Sequence, residues 1–203
     1  YIQEEPLEIK TPDSTILDNC YIALTPFKLN HKIKQYLTYT LLQWTYDLDI
    51  VFKKGIGHCI KQSNNRSLED LIYKKIPKKE KLCSMIASTK FFLPGHKKRI
   101  NFTKAIINHF KSKIDFYGFG LNPIKNKKDA IDPYLFSIAL ENSSYNNYWT
   151  EKVAYVFLGY TCPIYYGCKN LSSFFNKNSY IQIDINDIDK SIYRREKVLE
   201  DPY

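Results

Sequence analysis

The stretch LFSIALENSSYNNYWTEKVAYVFLGYTCPIYYG, residues 135–167, contains three successive signals for regular structure. Residues 135–140 form a short apolar run with the length of a buried strand. Residues 151–158 have the apolar spacing of a helix, and residues 163–166 form a second apolar run; both segments are followed by glycine. A strand, a helix and another strand in this order predict a crossover connection between two parallel strands.

The same alternation extends on both sides of this unit. Residues 82–87 and 114–117 are predicted strands, and apolar residues recur at helical spacing between 102 and 110. Residues 180–185 are a further predicted strand, after which Asp187 begins a last helix. Strands and helices that alternate at this pace predict an α/β fold with a doubly wound parallel sheet.

The sequence before this alternation is less regular. Residues 21–24 are strand-like, residues 36–52 are rich in aromatic side chains, and residues 61–66 form a polar break. The change in character predicts one unit in residues 1–80 and a second, α/β unit in residues 81–203.

The composition excludes several classes of protein. Of the 203 residues, 44% are hydrophobic and 25% are charged, and only 7 are Gly and 9 are Pro, which excludes a collagen or a disordered chain. No apolar run approaches the ~20 residues that a membrane-spanning helix needs. The 30 Lys and Arg residues exceed the 21 Asp and Glu residues, and a net charge of +9 favours an anionic partner of some kind.

Much of the positive charge lies in lysine-rich segments, such as residues 74–81. Charge runs are usually solvated faces, so we expect this segment to be exposed. Aromatic residues are spread along the chain rather than interleaved with the lysines, which argues against a nucleic-acid surface. Charge alone does not choose between nucleic acid, an acidic membrane surface and a phosphorylated small molecule.

The cysteines predict a reducing compartment. The 5 cysteines include no Cys-x-x-Cys pair, and the 4 histidines provide no spacing typical of a zinc site. We therefore expect reduced thiols and a cytoplasmic or cytosol-facing protein. Because the sequence begins at Tyr1 rather than Met, we interpret it as a fragment. Peripheral membrane association through a segment outside this sequence, and a Golgi-type lumenal location, therefore stay open.

The predicted sheet indicates where a ligand binds. Open parallel sheets bind ligands where the carboxyl ends of their strands lead into helices. Three loops occupy such places, at residues 88–99, 142–150 and 167–173. The second loop is polar and aromatic, and it leads directly into the predicted helix 151–158.

The residues around this second loop have the chemistry of an anion site. Lys152 and the first N–H groups of a helix both favour an anion, Glu151 can accept hydrogen bonds from a ribose diol, and Asn142 offers a donor and an acceptor. Arg99 stands just before the helical pattern of the neighbouring crossover. Two cations at adjacent strand ends predict a pyrophosphate clamp. The alternative is a capped surface helix that carries a Glu in its first turn.

Several ordered blocks resemble glycosyltransferase family 10, the alpha-1,3/1,4-fucosyltransferases. Residues 139–143 (ALENS) and 148–152 (YWTEK), followed by residues 162–167 (CPIYYG), are similar to the donor-binding signature of that family. Upstream, Ser88 and Arg99 with Phe102 resemble another family block. The resemblance covers residues 82–185 well and the first eighty weakly.

The resemblance implies a GT-B fold, in which two Rossmann-like domains face each other. Residues 81–203 would then be the nucleotide-sugar donor-binding domain, and residues 1–80 the C-terminal portion of an incomplete acceptor-side domain. It further implies an inverting transfer of fucose from GDP-fucose to a hydroxyl group of an acceptor glycan, of the alpha-1,3 type. The partners would be the nucleotide sugar and the acceptor glycan, not nucleic acid, and neither a metal nor a cofactor would be needed.

The family's residue roles carry over to matching positions in this sequence. Arg99 and Lys152 would contact the pyrophosphate of GDP-fucose, and Glu151 would contact the ribose. Asn142 and Tyr148 match motif positions that line the same pocket.

The catalytic base is expected in the acceptor-side unit. The segment Tyr1-Ile2-Gln3-Glu4-Glu5-Pro6 resembles the family's Y-x-G-E-x-x-x-P segment, in which Glu4 aligns best with the glutamate. An inverting transfer needs a base on the face opposite the leaving nucleotide, so we predict Glu4 as that base. Its neighbour Glu5 is the alternative.

Other interpretations stay open at this point. The same fold can use another nucleotide sugar, and a basic protein of this fold can bind nucleic acid or a membrane surface without catalysis. Asp47-Leu48-Asp49 has the form of a metal-binding DxD triplet, but short acidic pairs are common by chance and we expect no metal there.

Overall fold

The computed structural model describes residues 1–3, 5–40, 46–53, 57–61, 69, 72–87, 94–118 and 120–191. Its helices are α1 (Ser14–Asp18), α2 (Pro94–Phe110) and α3 (Glu151–Leu158). Its strands are β1 (Ile22–Thr25), β2 (Lys34–Leu37), β3 (Asp49–Lys53), β4 (Gly57–Lys61), β5 (Lys81–Ile86), β6 (Ile114–Tyr117), β7 (Tyr134–Leu140), β8 (Cys162–Tyr166) and β9 (Ile181–Gln182). Strands β1 and β2 form a parallel pair, and β3 and β4 form an antiparallel pair.

The other five strands form one sheet in the order β6-β5-β7-β8-β9. Every neighbouring pair in this sheet is parallel, which confirms the predicted sheet. From β6 the chain crosses to β7 on the far side of β5. The strand order therefore reverses between β5 and β7, and this point positions the candidate site.

Helices cover both faces of the sheet. Phe102 of α2 packs in a cluster with Ile138 of β7, while Val153 of α3 packs in a second cluster with Ala139 of the same strand. Neighbouring residues of a strand point to opposite faces, so these two clusters lie on opposite sides of the sheet. The doubly wound α/β architecture is thereby confirmed. Among the helices of the described residues, none has the length and apolar character needed to cross a bilayer.

The predicted strand 180–185 is wrong in length, because β9 ends at Gln182. The Asp184 Oδ1 atom accepts hydrogen bonds from the main-chain N–H of Asn186 at 2.9 Å and from its Nδ2 at 2.7 Å. An aspartate that binds the main chain two residues further on favours a turn over an extended strand. The last helical turn follows at residues 188–191, where Asp187 Oδ1 accepts from the Lys190 N–H at 3.2 Å.

The lysine-rich segment before β5 is not a uniformly solvated face, so that prediction is wrong for two of its lysines. The Lys79 Nζ atom donates to the main-chain oxygens of Asp132 and Gly159, both at 2.7 Å, and to Thr161 Oγ1 at 2.8 Å. Lys74 Nζ lies 2.8 Å from the Asp132 carboxylate. Burial lowers the pKa of Lys79 to about 8, so its side chain is mostly protonated at pH 7. These contacts attach the segment to the end of α3.

Replacing Lys79 by Met is expected to lower the free energy of unfolding by about 1–3 kcal/mol, because the carbonyl groups of Asp132 and Gly159 lose their donor. Lys78→Met is the matched control, since Lys78 is 85% exposed and its ion pair with Glu80 lies at the surface. We expect that variant to lose less than about 1 kcal/mol. Urea unfolding at pH 7, followed by circular dichroism, measures both. Equal losses would contradict the assignment.

Candidate functional site

A cavity of about 680 Å³ opens at the carboxyl ends of β5, β6 and β7. Ile86, Ile138 and Tyr155 contribute to its apolar wall. The cavity lies where the strand order reverses, which is where doubly wound sheets bind their ligands. Its volume falls within the range of about 300–1,000 Å³ that is typical of small-molecule sites.

The polar part of this cavity is strongly positive. Four cationic side chains line it, Arg99, Lys125, Lys127 and Lys152, together with one carboxylate, Glu151. Ionised donors make stronger hydrogen bonds to phosphate or carboxylate oxygens than neutral donors do. The lining therefore favours a ligand that carries more than one negative charge.

Glu151 and Lys152 take their positions from the N-terminus of α3. Thr150 is the N-cap residue, and its Oγ1 accepts from the Lys152 N–H at 3.3 Å. The first turn of a helix carries unpaired N–H groups and a partial positive charge. These add to the field of the cations and strengthen the preference for an anion.

A buried carboxylate directly after β7 holds this helix end. Glu141 is fully buried, and its Oε1 accepts from the Thr150 N–H at 2.8 Å. Its Oε2 accepts from the Thr150 hydroxyl at 2.7 Å and from Lys152 Nζ at 3.2 Å. Burial raises the pKa of Glu141, while Lys152 and the Thr150 hydrogen bonds oppose that rise. Sequence analysis assigned Glu141 no role of its own; the signal was a carboxylate directly after an apolar strand.

Close packing around this carboxylate requires a glycine at position 167. Gly167 has a φ of +154°, and a Cβ atom there would lie 2.3 Å from the Cγ of Glu141. A larger residue would therefore push the carboxylate away from Thr150.

Lys152 and Lys127 approach the same carboxylate. Lys152 Nζ lies 3.8 Å and Lys127 Nζ lies 3.9 Å from Glu151 Oε1. Burial disfavours the Lys152 charge, but the carboxylates of Glu141 and Glu151 outweigh it and raise the pKa of Lys152. Burial lowers the pKa of Lys127, partly offset by Glu151. Lys127 was not predicted from the sequence, because it begins a short 3-10 helix (Lys127–Ala130) outside every recognised motif.

Arg99 lies in the second turn of α2, so the prediction that it precedes the helix is wrong. The helix begins earlier than its apolar spacing indicates, at Pro94, a residue that suits a first helical turn. Arg99 is 8% exposed, and its Nη1 donates to Asn142 Oδ1. Burial lowers the pKa of Arg99 from its ordinary value. Its Nε has no hydrogen-bond partner within the part of the chain that the structure describes, so this buried donor is available to a ligand.

Asn142 and Tyr148 do not line the cavity, whereas the other three predicted donor-binding residues do. Asn142 reaches the site through its contact with Arg99. Tyr148 is 1% exposed, and its ring centre lies 5.7 Å from that of Phe27 in the N-terminal part. Burial raises the pKa of Tyr148, so its phenol stays neutral. The structure gives these two residues supporting positions behind the cavity.

Glu4, the predicted base, lies outside the described residues. Four positions further along the chain, Glu8 accepts hydrogen bonds from Ser143 Oγ and from the Tyr145 hydroxyl in the loop 142–150, both at 2.5 Å. Sequence analysis did not identify Glu8. The N-terminal segment therefore meets the loop that leads into α3.

The Asp47-Leu48-Asp49 triplet offers at most part of a metal site. Lys128 Nζ lies 2.5 Å from Asp47 Oδ1, so a protein cation already occupies that carboxylate, and the side chain of Asp49 lies outside the description. Across the described ranges, no group of three or more His, Cys, Asp or Glu side chains is placed to hold a metal ion. The expectation that the site works without a metal stays a prediction.

Residues 76–195 match the family model described as glycosyltransferase family 10 (fucosyltransferase), C-terminal region. The match covers more than half of the chain. The chain belongs to glycosyltransferase family 10. The resemblance that its motifs indicate is confirmed.

Known relatives extend this result. The alpha-(1,3)-fucosyltransferase FucT of Helicobacter pylori is 31% identical over 70 residues, which are 34% of this chain and 15% of that protein. A crystal structure of an alpha1,3-fucosyltransferase with GDP aligns with 95% of this chain and 60% of its own length, at 18% identity and a TM-score of 0.59. One with GDP-fucose aligns with 60% of this chain and 37% of its own, at 25% identity and a TM-score of 0.44. The chain spans less than two thirds of the length of each relative.

The alignment with the GDP-bound structure, which covers 95% of this chain, confirms the predicted GT-B fold.

Thr150→Val removes a hydroxyl that accepts from the Lys152 N–H and donates to Glu141. We expect the free energy of unfolding to fall by about 1–2 kcal/mol, the usual contribution of an N-cap side chain. Thr150→Ser keeps the hydroxyl and is expected to stay within about 0.5 kcal/mol of the unmodified protein. Urea titrations compare the three proteins. A Val variant as stable as the Ser variant would show that the cap contributes nothing.

Proposed function

We propose that the chain carries the donor-binding part of an inverting fucosyltransferase, which transfers fucose from GDP-fucose to a hydroxyl group of an acceptor glycan. The observation that carries this proposal is the cavity where the strand order reverses, in which four cations face one carboxylate. Family membership supports a nucleotide-sugar donor. The similarity to alpha-1,3-fucosyltransferases, one of which was solved with GDP, supports fucose as the sugar and GDP as the nucleotide.

In this proposal the diphosphate of the donor binds between α2 and α3. Arg99 presents its unpaired Nε and its planar guanidinium, which suits a phosphate group, and Lys152 presents its ammonium from the helix N-terminus. Lys127 supplies a third cation. Glu151 accepts hydrogen bonds from the ribose hydroxyls. Asn142 acts through Arg99, which it holds against the loop.

The chemistry is a single displacement at the anomeric carbon of fucose. The acceptor oxygen forms its bond to that carbon as the bond to the nucleotide oxygen breaks on the opposite face, and a base takes the acceptor proton. GDP leaves with additional negative charge, which Arg99 and Lys152 stabilise from fixed positions. Since side chains supply the positive charge that stabilises the leaving GDP, the proposal requires no divalent ion and no cofactor. The base comes from the acceptor side, and we assign it to Glu4.

The proposal also includes the binding partner and the location of the protein. The positive side chains described above line a concave space, which supports a nucleotide sugar rather than nucleic acid as the partner. The cysteine content of the sequence supports a cytosol-facing location.

Arg99→Ala and Lys152→Ala are each expected to weaken GDP binding about 10- to 100-fold, because a charge-assisted hydrogen bond contributes about 1.5–3 kcal/mol. Calorimetric titration with GDP, in buffer that contains EDTA, measures the affinity. Lys104→Ala is the matched control, because Lys104 is an exposed cation of α2 that does not line the cavity. Unchanged affinity in either site variant would remove that residue from the site. Binding that disappears in EDTA and returns with manganese would reinstate Asp47 and Asp49.

Glu4→Gln, made in the protein with its complete acceptor side, is expected to abolish most fucose transfer while GDP affinity stays unchanged. Removing the base raises the barrier of the transfer step without touching the nucleotide. Glu5→Gln is the matched control and is expected to keep most activity, because Glu4 rather than Glu5 aligns with the glutamate of the family segment. Initial rates of transfer, together with GDP titrations, measure both effects. If Glu5→Gln is the inactive variant, the alignment is displaced by one residue; if both remain active, the base lies elsewhere.

A further inference from the structure

A second cavity, of about 600 Å³, opens at the carboxyl ends of β8 and β9. It therefore lies along the same edge of the sheet as the cavity lined by Arg99, Lys125, Lys127 and Lys152, which we call the cationic cavity. Its polar lining includes Ser144, Tyr166, Lys169, Asp184, Asp187 and Lys190. We call it the polar cavity.

The polar cavity and the cationic cavity are neighbours. In α2, Arg99 lines the cationic cavity, while the preceding residue, Lys98, donates at 3.1 Å to Asn186 of the polar cavity. In the loop 142–150, Asn142 contacts Arg99, and Ser144 lines the polar cavity. Neighbouring residues of the same two segments therefore contact the two cavities.

The two cavities differ in charge. Four cations and one carboxylate line the cationic cavity, whereas two lysines and two aspartates line the polar cavity. The polar cavity therefore has no excess charge to attract a diphosphate. Its lining still offers many hydrogen-bonding groups of both kinds, because carboxylates accept, ammonium groups donate, and a phenol does both.

Both aspartates are exposed, and hydrogen bonds within their own turns orient them. Asp184 Oδ1 accepts from two nitrogens of Asn186, and Asp187 Oδ1 accepts from the Lys190 N–H. These bonds use one oxygen of each carboxylate, and no partner is found for the other oxygen within the described ranges. Oriented acceptors beside donors match the hydroxyl groups of a neutral sugar, each of which donates one hydrogen bond and accepts others.

We infer that the polar cavity binds a neutral sugar unit of the acceptor glycan, an assignment that rests on the proposed function. The contacts of the N-terminal segment support the assignment of the polar cavity to the acceptor. Glu8 binds Ser143 and Tyr145, the two residues that flank Ser144 of the polar cavity. The segment that is proposed to carry the base therefore reaches the loop between the two cavities, where an acceptor hydroxyl would meet the donor.

The test measures the binding of two neutral disaccharides, lactose and cellobiose, by saturation-transfer NMR, with and without saturating GDP. Asp187→Asn removes a carboxylate of the polar cavity but keeps a side chain that can cap the last helical turn. Asp189→Asn is the matched control, because Asp189 is exposed on the same turn and does not line the polar cavity. We expect at least one disaccharide to bind, Asp187→Asn to weaken it fivefold or more, and the control to leave it unchanged. The affinity for GDP is expected to be the same in all three proteins.

Three results would overturn the inference. The first is that neither disaccharide binds, or that Asp187→Asn binds like the unmodified protein. The second is that GDP displaces the disaccharide, which would place the sugar in the cationic cavity. The third is that Asp187→Asn weakens GDP-fucose but not GDP, which would assign the polar cavity to the fucosyl group of the donor. Failure of the proposed function has a different signature, namely no GDP binding to the unmodified protein while disaccharide binding still depends on Asp187.

Discussion

The buried carboxylate of Glu141 fixes the end of the sheet at which the site is built. Removing a carboxylate from water costs several kcal/mol unless hydrogen bonds and a counter-charge replace the lost water. Here the replacement comes from Thr150 and Lys152 at the start of α3. The helix therefore cannot slide along the sheet without leaving a buried charge unpaired. One set of contacts around Glu141 therefore positions the end of β7, the start of α3 and the ammonium group of Lys152.

This arrangement also explains how several cations stay close together before a ligand arrives. Like charges at short range repel, yet the ammonium groups of Lys127 and Lys152 both lie within 3.9 Å of Glu151. The carboxylates of Glu141 and Glu151 therefore hold the cations in place. Because the positive groups are already fixed, little reorganisation is needed when a diphosphate binds, and fixed charges stabilise a leaving group better than mobile ones.

Much of the fold follows from local patterns in the sequence. The strands β5 to β8 were predictable because each is a short apolar run, and α3 was predictable because its apolar spacing ends at Gly159. Strand β9 was overestimated, since its end depends on the Asp184 carboxylate binding the main chain of Asn186. The exposure of Lys79 was predicted wrongly, because its acceptors, the main-chain oxygens of Asp132 and Gly159, lie far from it in the chain and no local pattern reveals such contacts.

The same distinction applies to the site. Glu151 and Lys152 were predictable because a helix start with charged residues is a local feature, and Arg99 because a family motif marks it. The contributions of Lys127 and Glu8 were not predictable, since each depends on a contact between segments far apart in the chain. Glu141 had a local signal, a carboxylate directly after an apolar strand, but its burial and its contacts with Thr150 and Lys152 depend on how the loop folds back. The resemblance to the family indicated Arg99, Glu151 and Lys152 as candidate site residues, but it did not show which neighbouring side chains position them.

The loop 142–150 connects the two sides of the proposed reaction. One of its residues, Asn142, binds Arg99 on the donor side, and two others, Ser143 and Tyr145, bind Glu8 on the acceptor side. A phosphate that binds the guanidinium of Arg99 would therefore bind a group that Asn142 already orients. The contacts with Glu8 begin at the adjacent residue, Ser143, so both sets of hydrogen bonds act on one short segment. These hydrogen bonds place the N-terminal segment against the loop that also orients Arg99.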